Sequence, residues 1–403
     1  MTPKKILLMA HDVTLAHLGR PLQLANYLIA DGHDVTLAAS SESSRFLNGF
    51  PGRVHTLAPT GKARFIENLA KGRPVFDFES LKRFTEEDEA LLATLRPDLV
   101  IGDFRITLSI SARRQQVPYA TITNAYWHPA LSPRFIVPDL PMVRPLGVVL
   151  SQQLFDLARP FAFAYHARPL NALRRHYGMP SLGHDLRRTY TDADLAILSD
   201  IPSTYELSDD SILGALFVGP LAWSPDIPLP KWWSRLDTDR RTIYVTLGSS
   251  GAPGLLPNLI EQLSKLDVQL IVSTAGAAPP PPSEGVFCAD YLPGDIAAAR
   301  ADLVVCNGGS PTAYQALGQG VPVLGIPGNL DQFLNMHYLE KAGVAITLRN
   351  ADLTAGRVAN AVSRLLEEPA FGISARETAN ECARYAPQRY VPAILSCVIK
   401  NHS

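Results

Sequence analysis

Val304-Val305-Cys306-Asn307-Gly308-Gly309-Ser310-Pro311-Thr312-Ala313-Tyr314-Gln315-Ala316-Leu317 is the stretch whose reading decides the fold. The apolar run 303–306 reads as a short buried strand. Gly308-Gly309 breaks it. Ser310 before Pro311 is a favoured N-cap followed by the residue favoured at the first helical position. The spacing predicts a helix over 311–319 that stops at Gly320. A Gly-Gly turn feeding a helix N-terminus aims free N–H groups and the positive end of the dipole at one spot, which suits a phosphate. A second strand, 321–326, follows, and Pro327-Gly328-Asn329 is a turn. Asp331-Gln332 then falls just beyond the strand's C-terminal end, the edge where open parallel sheets bind ligands. A carboxylate beside a carboxamide can accept from and donate to the hydroxyls of a sugar. One ligand carries both a phosphate and a polyol: a nucleotide-sugar.

Working outward, the composition sets bounds. The chain has 403 residues, 46% hydrophobic and 19% charged, enough for two or three domains of ordinary globular usage. A net charge of −1 gives no bulk electrostatic case for nucleic acid or acidic lipid. Cys288, Cys306, Cys382 and Cys397 have no metal-like spacing, and a reduced, cytoplasmic protein is the expectation. The apolar run after Lys5 is too short for a signal peptide. No stretch reaches the ~20 apolar residues of a membrane span. A monomer or homodimer is expected.

The N-terminal half repeats the strand–helix alternation. Residues 5–10 read as the first parallel strand, 11–19 as a loop, and Arg20-Pro21 as the start of a helix with Leu22, Leu24, Ala25, Leu28 and Ile29 on one face. Asp31-Gly32-His33 ends it and 34–39 is the next strand. No Gly-x-Gly-x-x-Gly accompanies this unit, so a dinucleotide cofactor loses its motif, and none is expected. Arg96-Pro97-Asp98-Leu99-Val100-Ile101-Gly102-Asp103 is a strand with Asp103 at its C-terminal end, and 117–122 is another. From 124 to 188 the pattern loosens into aromatic-rich loops and helices, read either as an acceptor cleft or as ordinary helix packing. Residues 193–199 are expected to close the first sheet. Pro220, Pro225, Pro228 and Pro230 mark a linker. A strand opening at Thr242 runs into Gly248-Ser249-Ser250, again an anion-friendly turn. The domain division read here is 1–219, a linker over 220–240, 241–385, and a terminal helix over 386–403.

The opening stretch resembles the donor signature of the family-1 glycosyltransferases of the GT-B fold, which use nucleotide sugars. Those enzymes read His-Gly-Gly-x-x-Thr-x-x-Glu-Ala-Leu, then Gly-Val-Pro, then Pro-x-x-x-Asp-Gln-x-x-Asn. The chain matches at Gly308, Gly309, Thr312, Ala316, Leu317, Gly320, Val321, Pro322, Pro327, Asp331, Gln332 and Asn335, and departs at Asn307 and Gln315. The N-terminal unit matches at His17, Pro21 and Gly32-His33-Asp34-Val35-Thr36, and Asp290-Tyr291-Leu292-Pro293 resembles the loop flanking the nucleotide base. The resemblance implies an α/β GT-B architecture, two Rossmann-like parallel-sheet domains facing a cleft, with the last helix crossing back to the first domain. It implies a glycosyltransferase with the acceptor in the first half and the donor in the second.

Transfer needs a base for the acceptor, and imidazole titrates near working pH. His17 is the candidate, with Asp103 orienting its ring and stabilising the imidazolium; His11 is the rival. The resemblance carries the same His–Asp pairing. For the departing nucleoside diphosphate the candidates are the N–H groups of Gly308, Gly309 and Ser310, helped by Asn307, Ser249 and Thr312. Ser250, Tyr291, Leu292 and Gln315 complete the expected donor site, and Asp331 and Gln332 are expected to hold the sugar. Asp192-Ala193-Asp194 has the Asp-x-Asp form of a cation site but precedes a strand on the side away from the ligand edge; it reads as a solvated strand start, and no metal is expected. The expected activity is an inverting, metal-independent transfer from a UDP- or dTDP-sugar to a small lipophilic or aromatic acceptor. Two alternatives remain: a donor-binding relative that activates a partner transferase, and a nucleotide-sugar epimerase of the same fold.

Overall fold

The computed structural model of the chain describes residues 2–11, 13–207, 211–248, 251 and 253–399. Strands β1 (Lys5–Ala10), β2 (Asp34–Ser40), β3 (Arg53–Leu57), β4 (Leu99–Asp103), β5 (Tyr119–Thr123), β6 (Leu195–Leu198), β7 (Ser211–Ile212) and β8 (Ala215–Phe217) form one sheet in the order β3-β2-β1-β4-β5-β6-β8-β7. All pair in parallel except β7 on β8. The expected closure at 193–199 therefore fails: β8 and β7 extend the sheet beyond β6. The second sheet, β9 (Thr242–Thr246), β10 (Gln269–Ser273), β11 (Val286–Ala289), β12 (Leu303–Cys306), β13 (Val323–Gly325) and β14 (Ala345–Thr347), is wholly parallel in the order β11-β10-β9-β12-β13-β14.

Helices α1 (Leu15–Ala30), α2 (Lys62–Ala70), α3 (Phe78–Leu95), α4 (Leu108–Arg114), α5 (Val143–His176) and α6 (Arg187–Thr191) belong to the first half. Helices α7 (Leu256–Leu263), α8 (Gly294–Arg300), α9 (Ser310–Leu317), α10 (Leu330–Lys341), α11 (Ala355–Glu367), α12 (Pro369–Arg384) and α13 (Val391–Ile399) follow the second sheet's strands or end the chain. Covering both faces of a parallel sheet makes its strands apolar throughout. Ile6, Leu7, Leu8 and Met9 of β1 and Leu303, Val304, Val305 and Cys306 of β12 are accordingly buried. Val391, Ile394, Leu395 and Val398 of α13 pack into the core of the first sheet with Leu22, Leu24 and Val218. The segment 124–188, read as loops and helices, is mostly one long helix, α5, bent at Gly147, whose φ of 73° departs from helical geometry. It buries Phe163 on one face and leaves Leu157 and Phe161 exposed on the other.

Strand order reverses between β1 and β4 in one sheet and between β9 and β12 in the other. Ligands of open parallel sheets bind at such switch points, beyond the carboxyl ends of the strands. Ala10 pairs with Asp103 at the end of the first pair, and Thr246 with Cys306 at the end of the second. The fold thus places His11, Phe104, Leu247 and Asn307, each next after a strand, at the two ligand edges.

Candidate active site

On the first edge, α1 begins at Leu15, not at Pro21. His17 therefore stands in the first turn of a helix, where a loop was expected. Pro21, expected at the start of the helix, is carried inside it instead. His17 Nδ1 lies 2.7 Å from Asp103 Oδ1. An ionised Asp103 can only accept, so in this contact Nδ1 donates and the neutral ring keeps Nε2 as its acceptor; Arg20 Nη2, 3.1 Å from the same Nδ1, has Asp103 Oδ1 as its acceptor. The His17 side chain is 19% exposed, against 0% for Asp103, so the ring can be reached and the carboxylate cannot. Phe104, next after Asp103, holds φ of 56°, a strained conformation for a bulky residue. It lays its ring flat on His17, centroids 4.6 Å apart and 15° between planes.

His11 has a different environment. It is buried, edge-on to Phe76 and Phe84, with Arg105 Nη1 3.4 Å from its Nδ1. Arg105 is itself held by Asp88 and Glu87. Burial, then the Arg105 cation, push the His11 imidazole well below its ordinary pKa, so it is neutral at pH 7.

On the second edge, Gly308 takes φ of 74°, and a Cβ there would meet Met336 Cγ at 2.5 Å, so glycine is required on both counts. The turn is tied within itself. Gly308 N–H points to Cys306 Sγ at 3.3 Å and Gly309 N–H to Asn307 Oδ1 at 3.1 Å. The expectation that both N–H groups face a phosphate does not match this arrangement. Gly309, not Ser310, is the N-cap, and Ser310 is the first residue of α9. The first intrahelical bond is Ala313 N–H to Gly309 O, so the N–H groups of Ser310 and Thr312 lead the helix. Asn335 Nδ2 anchors the turn by donating to Gly308 O at 2.8 Å.

The other expected donor residues divide. Asp331 and Gln332 lie in the first turn of α10, which Asn329 caps. Asp331 faces the first domain: its Oδ1 accepts from Trp127 Nε1 at 2.7 Å and Tyr126 OH at 3.1 Å. Gln332 is buried and its Oε1 accepts from Gly328 N–H at 2.8 Å, which makes it a brace of the turn. Gln315 donates to Trp223 O at 2.7 Å and to Ser224 Oγ at 3.0 Å. Its amide thus holds the linker against α9. Tyr291 OH accepts from Arg45 Nη2 at 2.8 Å, with that guanidinium 4.8 Å above its ring, while Leu292 is buried in the core. Ser249 and Ser250 lie outside the described residues.

The two edges meet. Besides the Asp331 contacts, Asn124 Nδ2 donates to Ser310 Oγ at 2.9 Å. The first turns of α9 and α10 are thus in direct contact with the segment 124–127 that follows β5.

Residues 257–396 match the family model described as "Erythromycin biosynthesis protein CIII-like, C-terminal domain". The chain is 41% identical over 384 residues to a "PGL/p-HBAD biosynthesis glycosyltransferase" of Mycobacterium tuberculosis, covering 93% of this chain and 88% of that one. This chain belongs to that family of glycosyltransferases. It is also 41% identical over 385 residues to a "PGL/p-HBAD biosynthesis rhamnosyltransferase" of Mycobacterium bovis, covering 94% of this chain and 85% of that one. Among solved structures, the spinosyn rhamnosyltransferase SpnG complexed with thymidine diphosphate superposes with a TM-score of 0.69 at 17% identity, covering 97% of this chain and 99% of that one. The fold is GT-B.

Three residues that the sequence reading passed over surround the pair in this glycosyltransferase. Arg20 is buried and donates from Nε to Asp103 Oδ2 and from Nη2 to Asp103 Oδ1, both at 2.7 Å, and from Nη1 to Asn124 Oδ1 at 2.8 Å. Burial opposes the Arg20 cation, and Asp103 outweighs it, raising its pKa. Asp200 accepts from Asn124 Nδ2 and from Ala125 N–H. Burial pushes Asp200 up to about 6 despite those bonds. A signal for Arg20 was present: a guanidinium amid the apolar positions of α1 is costly unless paired.

Asp192 is not a solvated strand start. Arg113 grips both its oxygens at 2.6 and 2.8 Å and Arg174 adds a third bond at 2.6 Å. Asp194 accepts from Tyr119 N–H at 2.9 Å. Among the described residues, no three His, Cys, Asp or Glu side chains gather as a metal site, and no helix is long and apolar enough to cross a membrane.

Proposed function

We propose that this glycosyltransferase moves a deoxyhexose from a thymidine or uridine diphosphate donor to the hydroxyl of a small lipophilic, aromatic acceptor, with inversion and without a metal. The observation that carries this is the His17–Asp103 pair, joined by side-chain hydrogen bonds through Arg20 and Asn124 to Ser310 at the start of α9. His17 Nε2 takes the acceptor proton as the oxygen attacks the anomeric carbon. Asp103 stabilises the imidazolium so formed. The bond from that carbon to the diphosphate breaks in the same displacement, which inverts the centre. The charge that appears on the diphosphate oxygen meets the leading N–H groups of α9, where a cation would otherwise be needed. Asp331 stands at the sugar end.

The acceptor class is supported by an aromatic wall. Phe104 on His17 continues to Tyr190 at 5.5 Å and from Tyr190 to Trp127 at 5.2 Å, ending at Asp331. Tyr190 also lines a small crevice with Phe76, Leu81, Ile106, Leu170 and Leu186. A flat phenol sliding along that wall brings its oxygen to His17. The rhamnosyltransferase name of the M. bovis relative and the thymidine diphosphate complex of SpnG support the donor class.

The test is turnover. Purified protein with dTDP-rhamnose or UDP-rhamnose and methyl 4-hydroxybenzoate, a small apolar phenol, is expected to release nucleoside diphosphate and form a glycoside of inverted anomeric configuration by NMR. Retained configuration ends the single-displacement reading. Binding of the donor without any product favours the partner-activating alternative.

A further inference from the structure

The bonds around Asp103 continue past Arg20. Asn124 follows β5 and is 5% exposed. Its Oδ1 accepts from Arg20 Nη1 at 2.8 Å. Its Nδ2 lies 3.2 and 3.1 Å from the two oxygens of Asp200 and 2.9 Å from Ser310 Oγ. A line of direct side-chain bonds thus runs His17, Asp103, Arg20, Asn124, Ser310, from the pair on the first sheet to the first residue of α9 on the second.

The chemistry of an amide suits the middle of that line. Arg20 can only donate and ionised Asp200 can only accept, and Asn presents one accepting and one donating end. The two charges fix which end faces which, so the amide cannot flip without opposing both. A carboxylate at 124 would face Asp200, and an aliphatic side chain would leave a buried guanidinium N–H without an acceptor. Asp200 is pinned in turn by Ala125 N–H at 2.7 Å. The Ser310 bond is the link in this line that crosses between the sheets. With Ser310 in place the line is complete; with the second domain withdrawn it ends at Asp200.

We propose that Asn124 is a positioning residue that couples docking of the donor-side helix α9 to alignment of the His17 base, through Ser310 on one side and Arg20–Asp103 on the other. The proposal rests on the reading of His17 as the base. It locates the effect in the chemical step: donor binding to α9 does not need Asn124, and alignment of the base does.

The experiment is a double-mutant cycle of Asn124→Ala and Ser310→Ala in the full chain. Transfer from dTDP-rhamnose to methyl 4-hydroxybenzoate gives kcat and KM, and thymidine diphosphate titrated by calorimetry gives Kd. Asn124→Ala is expected to lower kcat at least tenfold with the thymidine diphosphate Kd within twofold of the parent. Ser310→Ala is expected to cost at least threefold less in kcat on the Asn124→Ala background than alone, because the shared bond is already gone. Strictly multiplicative losses, or an unchanged kcat in Asn124→Ala, overturn the proposal. If Asn124→Ala does not fold, Ser310→Ala alone replaces it: it removes the bond that crosses between the sheets, and it is expected to lower kcat with the Kd kept. An unchanged kcat there also overturns the coupling. His17→Ala separates the two levels. A fully active His17→Ala removes the base assignment beneath the proposal, whereas an inactive His17→Ala with an additive cycle removes the coupling alone.

Discussion

Arg20 holds Asp103 by both carboxylate oxygens, Nε on Oδ2 and Nη2 on Oδ1, each at 2.7 Å, with neither side chain open to solvent. Two adjacent parallel bonds of this kind fix a carboxylate in plane as well as in place. Asp103 is thereby turned to present Oδ1 to His17 Nδ1. The guanidinium neutralises the carboxylate's burial, and the carboxylate remains the acceptor for the imidazole.

Arg20→Met fills similar volume and removes the cation. It leaves Asp103 buried without its partner, and the expected loss of stability is about 3–5 kcal/mol, read as a lower midpoint in urea with an unchanged slope. A loss under about 1 kcal/mol, the range of exposed pairs, contradicts the buried clamp.

Asp331→Asn keeps the acceptor for Trp127 and Tyr126 and removes the charge. A hydrogen bond to a charged group contributes about 1.5–3 kcal/mol, so kcat/KM for the sugar nucleotide is expected to fall about 10- to 100-fold by that measure. Thymidine diphosphate, which lacks the sugar, is expected to bind as before. Equal weakening of both would place Asp331 on the diphosphate instead.

Asp200 carries the pH dependence. Its pKa is raised from 3.8 to about 6, chiefly by burial. Between those values the folded state keeps a proton that the unfolded chain has lost, so stability falls as pH rises through this window and the loss is complete above about 6. The full effect is on the order of 3 kcal/mol. Asp200→Asn cannot titrate, so the unfolding free energy at pH 7 minus that at pH 4, read from urea unfolding, is expected to be more positive in that variant than in the parent. An identical difference contradicts the assignment.

Chelation bears on the metal. Asp192 is taken by Arg113 and Arg174 and Asp194 by the backbone of Tyr119. Transfer is therefore expected to be the same in excess EDTA as in millimolar magnesium. A rate that collapses on chelation and returns with the cation contradicts the α9 account of the departing charge.

What could be read from the chain was local. Gly308 and Gly309 break a strand and start a helix within one turn, and that signal needs no tertiary context. Asp103 closes an apolar run whose end is visible in sequence. The chain shows that Arg20 needs a partner but not which one, and shows nothing for Asn124, because each acquires its role from residues far along the chain: Arg20 meets Asp103 across 83 positions and Asn124 meets Ser310 across 186. The bonds that Gln332 and Gln315 make within the protein were not foreseen for a related reason. Motif position gives proximity to the ligand edge, but whether an amide faces the cleft or braces the adjacent backbone depends on Gly328 and Trp223, which no spacing rule weighs. The start of α1 was misplaced because proline can be carried inside a helix packed on a sheet, at a position where local preference alone would end it.

The central claim is that the ring held by Asp103 removes the acceptor proton while α9 holds the donor. The direct measurement pairs, on His17→Ala, the transfer rate to methyl 4-hydroxybenzoate with the thymidine diphosphate Kd. The account predicts a kcat reduced by about 100-fold or more, the range of general base catalysis, with the Kd unchanged. Transfer at the parent rate, or loss of nucleotide binding together with transfer, would contradict it.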